Sequence, residues 1–328
     1  MSLFVEKPVA VVFDWDKTLS PTYQQRPLFK EYGVDEKKFW TLTHTRTRAH
    51  QHYIQNRCFV EHEYLNAILD YTRRGTFKGL NNAKLEELGT KLETYPGVPE
   101  MLYELKDRGV EIYIVSGGIR SMLKGIPFVK DNVTEIYAAD FADYELDDNG
   151  IQIPKDTIQS IVISVIPTDK SRILNEISKG CKQGNFDSNA SLPQEQRRIP
   201  FKHMIYVGDG VSDIHAFETV RRDGGHAVAV YNPQEPQFDQ AEMLRANHWV
   251  DLIATADYRE GTTAYDWILM KTLRLQESIR REETFQLEAD LERVRKHAPK
   301  YIHAWGVQDA GHACNGGCNS TNCPREKK

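Results

Sequence analysis

No apolar run in the chain approaches the roughly 18–20 residues that a membrane-spanning helix needs. Helical membrane proteins are therefore excluded as a class. Cysteine is scarce and odd in number. There are five in 328 residues, with Cys314, Cys318 and Cys323 close to the carboxyl end. That is no disulfide framework for the body of the protein, and a reducing cytoplasm is the expected setting. An excess of positive charge is missing as well. Lysine and arginine number 42 against 47 acidic residues, a formal net charge of −5. Nothing electrostatic points to a nucleic-acid partner. Met1 to Ala10 carries Glu6 and Lys7 and lacks the long apolar stretch and small-residue cleavage site of a secretory signal. Internal repeats are also lacking.

What is present is globular. Hydrophobic residues make up 40% and charged residues 27%, enough apolar mass for a sizeable core in one large or two unequal domains. Short, β-branched-rich apolar runs end abruptly in polar or glycine-rich segments. Val9 to Phe13 ends at Asp14, and Glu111 to Val115 ends at Ser116-Gly117-Gly118. Met204 to Val207 ends at Gly208-Asp209-Gly210, and Ala227 to Val230 at Tyr231-Asn232-Pro233. Such runs read as strands buried on both faces, hence a parallel sheet. Helical patterns lie between them, around Pro99 to Lys106 with Gly109 as a stop, and over Lys170 to Lys179 closed by Gly180. The alternation predicts a doubly wound, Rossmann-like α/β core.

The stretch from Pro21 to Tyr95 contains no clear strand and reads as helices, a cap inserted after the first strand. Thr94-Tyr95-Pro96-Gly97-Val98 reads as the return linker. Asp147-Asp148-Asn149-Gly150 is a hairpin signal within 141–155, and the polar segment 181–199 reads as a surface loop. The resulting expectation is a discontinuous core over 1–20 and 93–262, a helical cap over 21–92, a helical extension over 263–310 and a flexible tail over 311–328.

Ligands of such sheets bind beyond the carboxyl ends of the strands. Those ends carry Asp14, Asp16, Ser116 and Asp209, so four polar groups far apart in sequence are aimed at one crevice. Asp14 and Asp16 sit two positions apart just after a buried strand. That is costly unless a cation or a covalent role accounts for them.

The pattern Asp14-Trp15-Asp16-Lys17-Thr18 after an apolar strand resembles the first motif of the haloacid dehalogenase superfamily. Ser116 resembles its second motif and Lys170 in Thr168-Asp169-Lys170-Ser171 its third. Gly208-Asp209-Gly210-Val211-Ser212-Asp213 resembles its fourth. All four occur in the family's order, across residues 9 to about 232. The resemblance implies a phosphohydrolase in which Asp14 attacks phosphorus and Asp16 serves as acid and then base. It implies Mg2+ held by Asp14, the backbone carbonyl of Asp16 and Asp209. Ser116 and Lys170 would bind phosphoryl oxygens, Asp213 would orient Lys170 or a metal-bound water, and Thr18 would fix the loop. Because the strand ends at Asp14, the register of Asp16-Lys17-Thr18 is not that of an ion-pumping ATPase. An acid at position 16 suits phosphate esters rather than haloacids or phosphonates.

A cap between the first two motifs resembles the phosphoserine-phosphatase-like branch, as does Ser116-Gly117-Gly118, with Gly117 beside the substrate. A cap restricts access, so a small-molecule phosphate ester is the expected substrate. Within Thr43 to Arg57, the residues His44, Arg46, Arg48, His50, His52 and Arg57 form basic faces. Arg46 and Arg48 are the candidates for reading an anionic or polar leaving group, against the alternative of a solvated or docking face. A phosphotransferase needs the same residues, so the motifs alone do not separate it from a phosphatase. A binding protein that kept the fold and lost the chemistry is disfavoured because every catalytic position is filled.

Beyond the motifs, Ala264 to Ala298 reads as one long or two consecutive helices. Leu275 and Ile279 fall on one stripe and Leu287, Leu291 and Val294 on a later one, packed on the core or on a sister chain. His312, Cys314, Cys318 and Cys323 match no strong zinc spacing and read as a reactive or disordered tail.

Overall fold

The computed structural model describes residues 7–54, 59–181, 188–235 and 238–297. Strand β1 (Ala10–Phe13) is followed by helices α1 (Arg26–Tyr32), α2 (Glu36–Ile54), α3 (Val60–Arg73) and α4 (Asn82–Gly89). The chain then runs through α5 (Val98–Asp107), β2 (Glu111–Ile119), α6 (Arg120–Lys124), α7 (Pro127–Asn132) and β3 (Glu135–Ala142). A hairpin of β4 (Tyr144–Leu146) and β5 (Gln152–Pro154) leads to β6 (Ser160–Ile163) and α8 (Pro167–Lys179). The remainder is β7 (Met204–Gly208), α9 (Ile214–Arg222), β8 (His226–Tyr231), α10 (Phe238–Ala246), β9 (Leu252–Thr255) and α11 (Thr263–His297). The Cys-containing tail, Cys58 and Arg57 lie outside the described residues.

Seven of the described strands form one sheet in the order β6-β3-β2-β1-β7-β8-β9. All its pairs are parallel except β3 with β6. Period-2 alternation sends β1 residues to both faces, and both faces are buried. Val11 and Phe13 join a cluster with Ile112, Ile114, Ile205 and Val207. Ala10 and Val12 join Tyr113, Val115, Met204 and Tyr206 on the opposite side. A third apolar cluster, including Leu28, Phe29, Phe39, Leu65, Ile68 and Leu85, knits α1 to α4 together. The strand order reverses between β1 and β7, so the ends of those two strands border the crevice where such sheets take ligands.

Three local features differ from the sequence expectation. Strand β2 continues through Ser116-Gly117-Gly118 to Ile119 instead of ending at the glycines. Its pairing slips there: Val115 faces Tyr137 and Ile119 faces Ala139, a bulge that re-aims the residues it contains. Helix α8 begins at Pro167, three residues before Lys170. Proline suits a first helical turn, and the Asp169 carboxylate accepts from the Ile166 N–H at 3.1 Å. Edge strand β6 runs antiparallel because the link from β3 is spent on a hairpin rather than on a crossover helix.

Two units divide the chain, Met1–Ile279 and Arg280–Lys328, and α11 is a single helix running across that division. In the first unit, Ala264, Ile268 and Ile279 are buried, with Leu275 packed beside them. In the second, Leu287, Leu291 and Val294 are exposed. No described helix is long and apolar enough to cross a membrane.

Gly97, in the segment that returns the chain to the sheet, has φ +80°, and a Cβ there would lie 2.2 Å from the backbone carbon of Tyr258. Tyr258 N–H also donates to Pro96 O at 2.8 Å, so the two backbones are held together. Gly33 has φ +63° and open space around it. Gly97→Ala is expected to cost about 2–4 kcal/mol and Gly33→Ala about 1 kcal/mol, measured as shifts in urea unfolding midpoints. Equal losses would show that the approach at Tyr258 yields freely.

Candidate active site

The segment that follows β1 is a tight loop built on Trp15, whose side chain is fully buried. Its carbonyl accepts from the N–H groups of Thr18, Leu19 and Ser20 at 2.9–3.2 Å. Lys17 absorbs the turn with φ +64°. Tyr258 OH donates to Thr18 O at 2.8 Å, anchoring the loop from the far end of the chain. Asp14 N–H donates to Val207 O at 2.9 Å, continuing the sheet one residue past β1. That bond fixes the height at which the Asp14 side chain leaves the sheet.

Lys170 comes to the same point from the first turn of α8. Its side chain is 4% exposed, and Nζ lies 3.0 Å from Asp14 Oδ1 and 2.6 Å from Asp213 Oδ1. Burial alone would lower the lysine pKa, but the carboxylates of Asp14 and Asp213 outweigh it and hold the ammonium above its ordinary range. Asp213 is fully buried. Its Oδ1 also accepts from Tyr206 OH at 2.6 Å, and its Oδ2 accepts from the N–H groups of Asp209 and Gly210 at 3.1 and 3.4 Å. Four donors therefore occupy its two oxygens.

Asp14, Asp209 and Asp213 offer oxygens within 4.8 Å of one another. Crowded acids resist ionising. Burial, tempered by Lys170, raises Asp14 to about 6. Burial and the neighbouring Asp14 raise Asp16 to about 8. Burial, then Asp213 and Asp14, lift Asp209 well above the carboxylate range. The Asp16 carboxyl is oriented by Gln24, whose N–H donates to Oδ1 at 2.9 Å. Gln24 is itself fully buried, and its Oε1 accepts from Ile119 N–H at 2.7 Å. One residue thus ties the loop after β1 to the bulge of β2. In that bulge Ser116 is 1% exposed, and its Oγ accepts from Gly118 N–H at 3.1 Å.

Asp14, Asp16, Ser116, Gly117, Lys170 and Asp209 all line one cavity of about 440 Å³. Thr18 and Asp213 lie behind that wall. The opposite wall comes from the inserted helices and the segment leading to them, with Tyr23, Gln25, Trp40, His44, Glu61 and Tyr64 among its residues. Tyr64 OH donates to Gly117 O at 2.7 Å, a direct tie from α3 to the β2 bulge.

On the basic face of α2, Arg46 and Arg48 follow the docking and solvated alternative rather than lining the cavity. Neither Arg46 nor Arg48 is among the described residues lining the cavity. Arg46 pairs with Asp70 of α3 at 2.9 Å, and His50 lies 2.7 Å from Glu63 Oε1. Arg48 is exposed. The face around Phe39, Thr43, Arg46, Thr47 and His50 is the one that docks α2 on α3, which consumes Arg46. His44, one of the same basic cluster, does reach the cavity and lies beside Trp40, with ring centroids 6.3 Å apart. The aromatic wall and Glu61 carry no local signature, since Glu61 and Tyr64 at i, i+3 look like any amphipathic helix start.

A family model described as haloacid dehalogenase-like hydrolase matches residues 11–218. An uncharacterized protein of Borreliella burgdorferi is 32% identical over 281 residues, which is 81% of this chain and 97% of that relative. Among solved structures, substrate-bound phosphoserine phosphatase is similar over 78% of this chain and 97% of its own, at 20% identity and a TM-score of 0.47. Cytosolic 5′-nucleotidase IIIB bound to cytidine is similar over 85% of this chain and 88% of its own, at 14% identity and a TM-score of 0.49. With the four motifs meeting at one cavity and the family model spanning most of the sheet, the chain belongs to the haloacid dehalogenase-like hydrolases.

Proposed function

We propose that the protein is a Mg2+-dependent phosphatase that hydrolyses a small-molecule phosphate monoester through an aspartyl-phosphate on Asp14. The observation that carries this reading is the buried Lys170 ammonium, held between Asp14 and Asp213, in a cavity that Asp16, Ser116 and Asp209 also face.

The donor set fits a hard divalent cation. Four carboxylates, Asp14, Asp16, Asp209 and Asp213, lie close to a single buried ammonium, and burial, then the neighbouring carboxylates, makes Asp14, Asp16 and Asp209 hold their protons unusually tightly. Asp213 is already taken up by four hydrogen bonds, so Asp14, Asp209 and the Asp16 carbonyl are the groups that would hold the ion. When bound, Mg2+ supplies charge neutralisation for the phosphoryl oxygens.

The chain's own residues account for the remaining chemistry. Lys170 keeps Asp14 ionised and available as nucleophile, and Asp213 and Tyr206 keep Lys170 in place. An Asp14 oxygen bonds to phosphorus as the ester P–O bond breaks, and Ser116 and Lys170 hold the phosphoryl oxygens. Asp16, protonated at neutral pH by its raised pKa, gives its proton to the leaving oxygen. As a carboxylate it then takes a proton from the water that cleaves the Asp14–phosphorus bond, releasing inorganic phosphate. The inserted helices act as a cap that walls the cavity and limits it to small esters.

Phosphate release with Mg2+ is expected from wild type, abolished by chelation and restored by Mg2+. Asp14→Asn should lower kcat by about 10³-fold or more. Asp16→Asn should lower it by about 10²-fold or more for alkyl esters and much less for p-nitrophenyl phosphate, whose leaving group needs little protonation. Equal rates for wild type and Asp14→Asn would sink the proposal. Stability offers a second check. Without the ion, Asp14 and Asp16 bind protons more tightly folded than unfolded, where their ordinary value is 3.8. Their contribution is full in acid and is lost as pH rises through about 6 and then about 8. The Tm of chelated wild type should therefore fall between pH 5 and pH 8.5, relative to Asp16→Asn. A chelated wild type that gains Tm relative to Asp16→Asn over that span would contradict it.

A further inference from the structure

Two described lysines line the cavity, and the fold treats them differently. Lys170 stands inside the carboxylate cluster, against Asp14 and Asp213. Lys17, in the turn between Asp16 and Thr18, lines the same cavity as Asp14, Asp16 and Asp209, yet its ammonium is held to one side. Nζ donates to Glu235 Oε1 and Oε2 at 2.9 and 3.2 Å and to Pro21 O at 2.9 Å. The Tyr23 ring lies beneath it, with 5.6 Å from Nζ to the ring centroid. Glu235 is presented by a turn after β8. Its N–H donates to Asn232 O at 3.1 Å, and Asn232 Nδ2 donates to Glu235 Oε1 at 3.4 Å. Asn232 Oδ1 accepts from Gln234 N–H at 3.0 Å, which stiffens the turn. The strand end at β8 thus supplies the carboxylate that captures a cation beside the end of β1, two strands away in the sheet.

The charges explain why a restraint is needed. A lysine carries its positive charge on a flexible four-carbon stem. Next to Asp16, that charge is an internal competitor for any cation the acids would bind. It already reaches them: burial and Asp14 raise the Asp16 carboxyl, and Gln24, Lys170 and Lys17 oppose the rise. A second ammonium inside the cluster would neutralise the acids and repel a divalent ion from the same oxygens. We propose that Glu235 is a positioning residue that keeps the Lys17 ammonium out of the carboxylate cluster and so leaves Asp14, Asp209 and the Asp16 carbonyl open to a divalent cation. Pro21 O and the Tyr23 ring complete the hold, the ring by cation–π attraction. This inference rests on the metal-site assignment in the hydrolase reading above. It goes beyond that reading by giving the turn after β8 a part in cation binding without a contact to the ion.

The test measures Mg2+ binding to the full chain at neutral pH without substrate, by titration calorimetry and by the rise of Tm with Mg2+ concentration. Wild type should bind Mg2+, and Asp209→Asn should not. Glu235→Gln should bind it about tenfold more weakly, because the released ammonium competes for the same acids. In a Lys17→Met background the competitor is gone, so adding Glu235→Gln should change the affinity by less than about twofold. A loss caused by a damaged turn would persist in that background, which separates the positioning role from a structural one. Should Glu235→Gln fold poorly, Tyr23→Leu with and without Lys17→Met supplies the same comparison, with a loss of about threefold that Lys17→Met removes. Equal Mg2+ affinity in wild type and Glu235→Gln, or a loss that survives in the Lys17→Met background, overturns this inference alone. If neither wild type nor Asp209→Asn responds to Mg2+, the metal-site assignment falls and this inference falls with it.

Discussion

One buried ammonium holds the site together. Lys170 sits between two carboxylates in a space from which water is nearly excluded, and each partner is there because of a different part of the chain. Asp14 rides on the end of β1, Asp213 precedes α9, and Lys170 belongs to the first turn of α8. Removing the ammonium would leave carboxylates packed against one another with no compensating charge, the situation that proteins tolerate least. The surrounding hydrogen bonds make sense as supports for this contact. Tyr206 and two backbone N–H groups join Lys170 in occupying both oxygens of Asp213. Gly208 is part of the same arrangement, because a Cβ there would sit 2.4 Å from Asp213 Oδ2.

The division of labour between neighbouring acids follows from their surroundings. Asp14 touches Lys170 and is held near 6, whereas Asp16 has no such contact and is held near 8. Two identical side chains two positions apart are thereby biased toward opposite protonation states near neutrality, which is what the proposed pairing of nucleophile and proton donor calls for. The backbone produces this difference. The positive-φ turn at Lys17 leads the chain back so that the Gln24 N–H meets the Asp16 carboxyl, while Lys170 touches Asp14.

Much of the core was legible in the chain itself, because a parallel sheet writes its strands as uninterrupted apolar runs and its ligand groups as the polar residues that end them. Asp14 and Asp209 could be found that way. Ser116 could be found too, although the strand does not stop there: pairing slips, and the chain resumes its ladder at Ile119. Strands β3 and β6 were not legible. Glu135 to Ala142 mixes charge with alanine, and β6 has mostly exposed residues, so neither carries a clean period. The wall made by the inserted helices was the least accessible to inspection. Which of several basic residues on α2 meets the cavity is decided by how α2 docks on α3. That long-range fit turns Arg46 to Asp70 and leaves His44 facing inward.

Gln24 belongs equally to the chemistry and to the architecture. Its main chain holds the Asp16 carboxyl, and its side chain holds the strand that carries Ser116. It stands at the doorway to the helical insert. The entrance of the cavity and its floor thus share one buried residue, and a substitution at position 24 would disturb the settings of Asp16 and of the β2 bulge together.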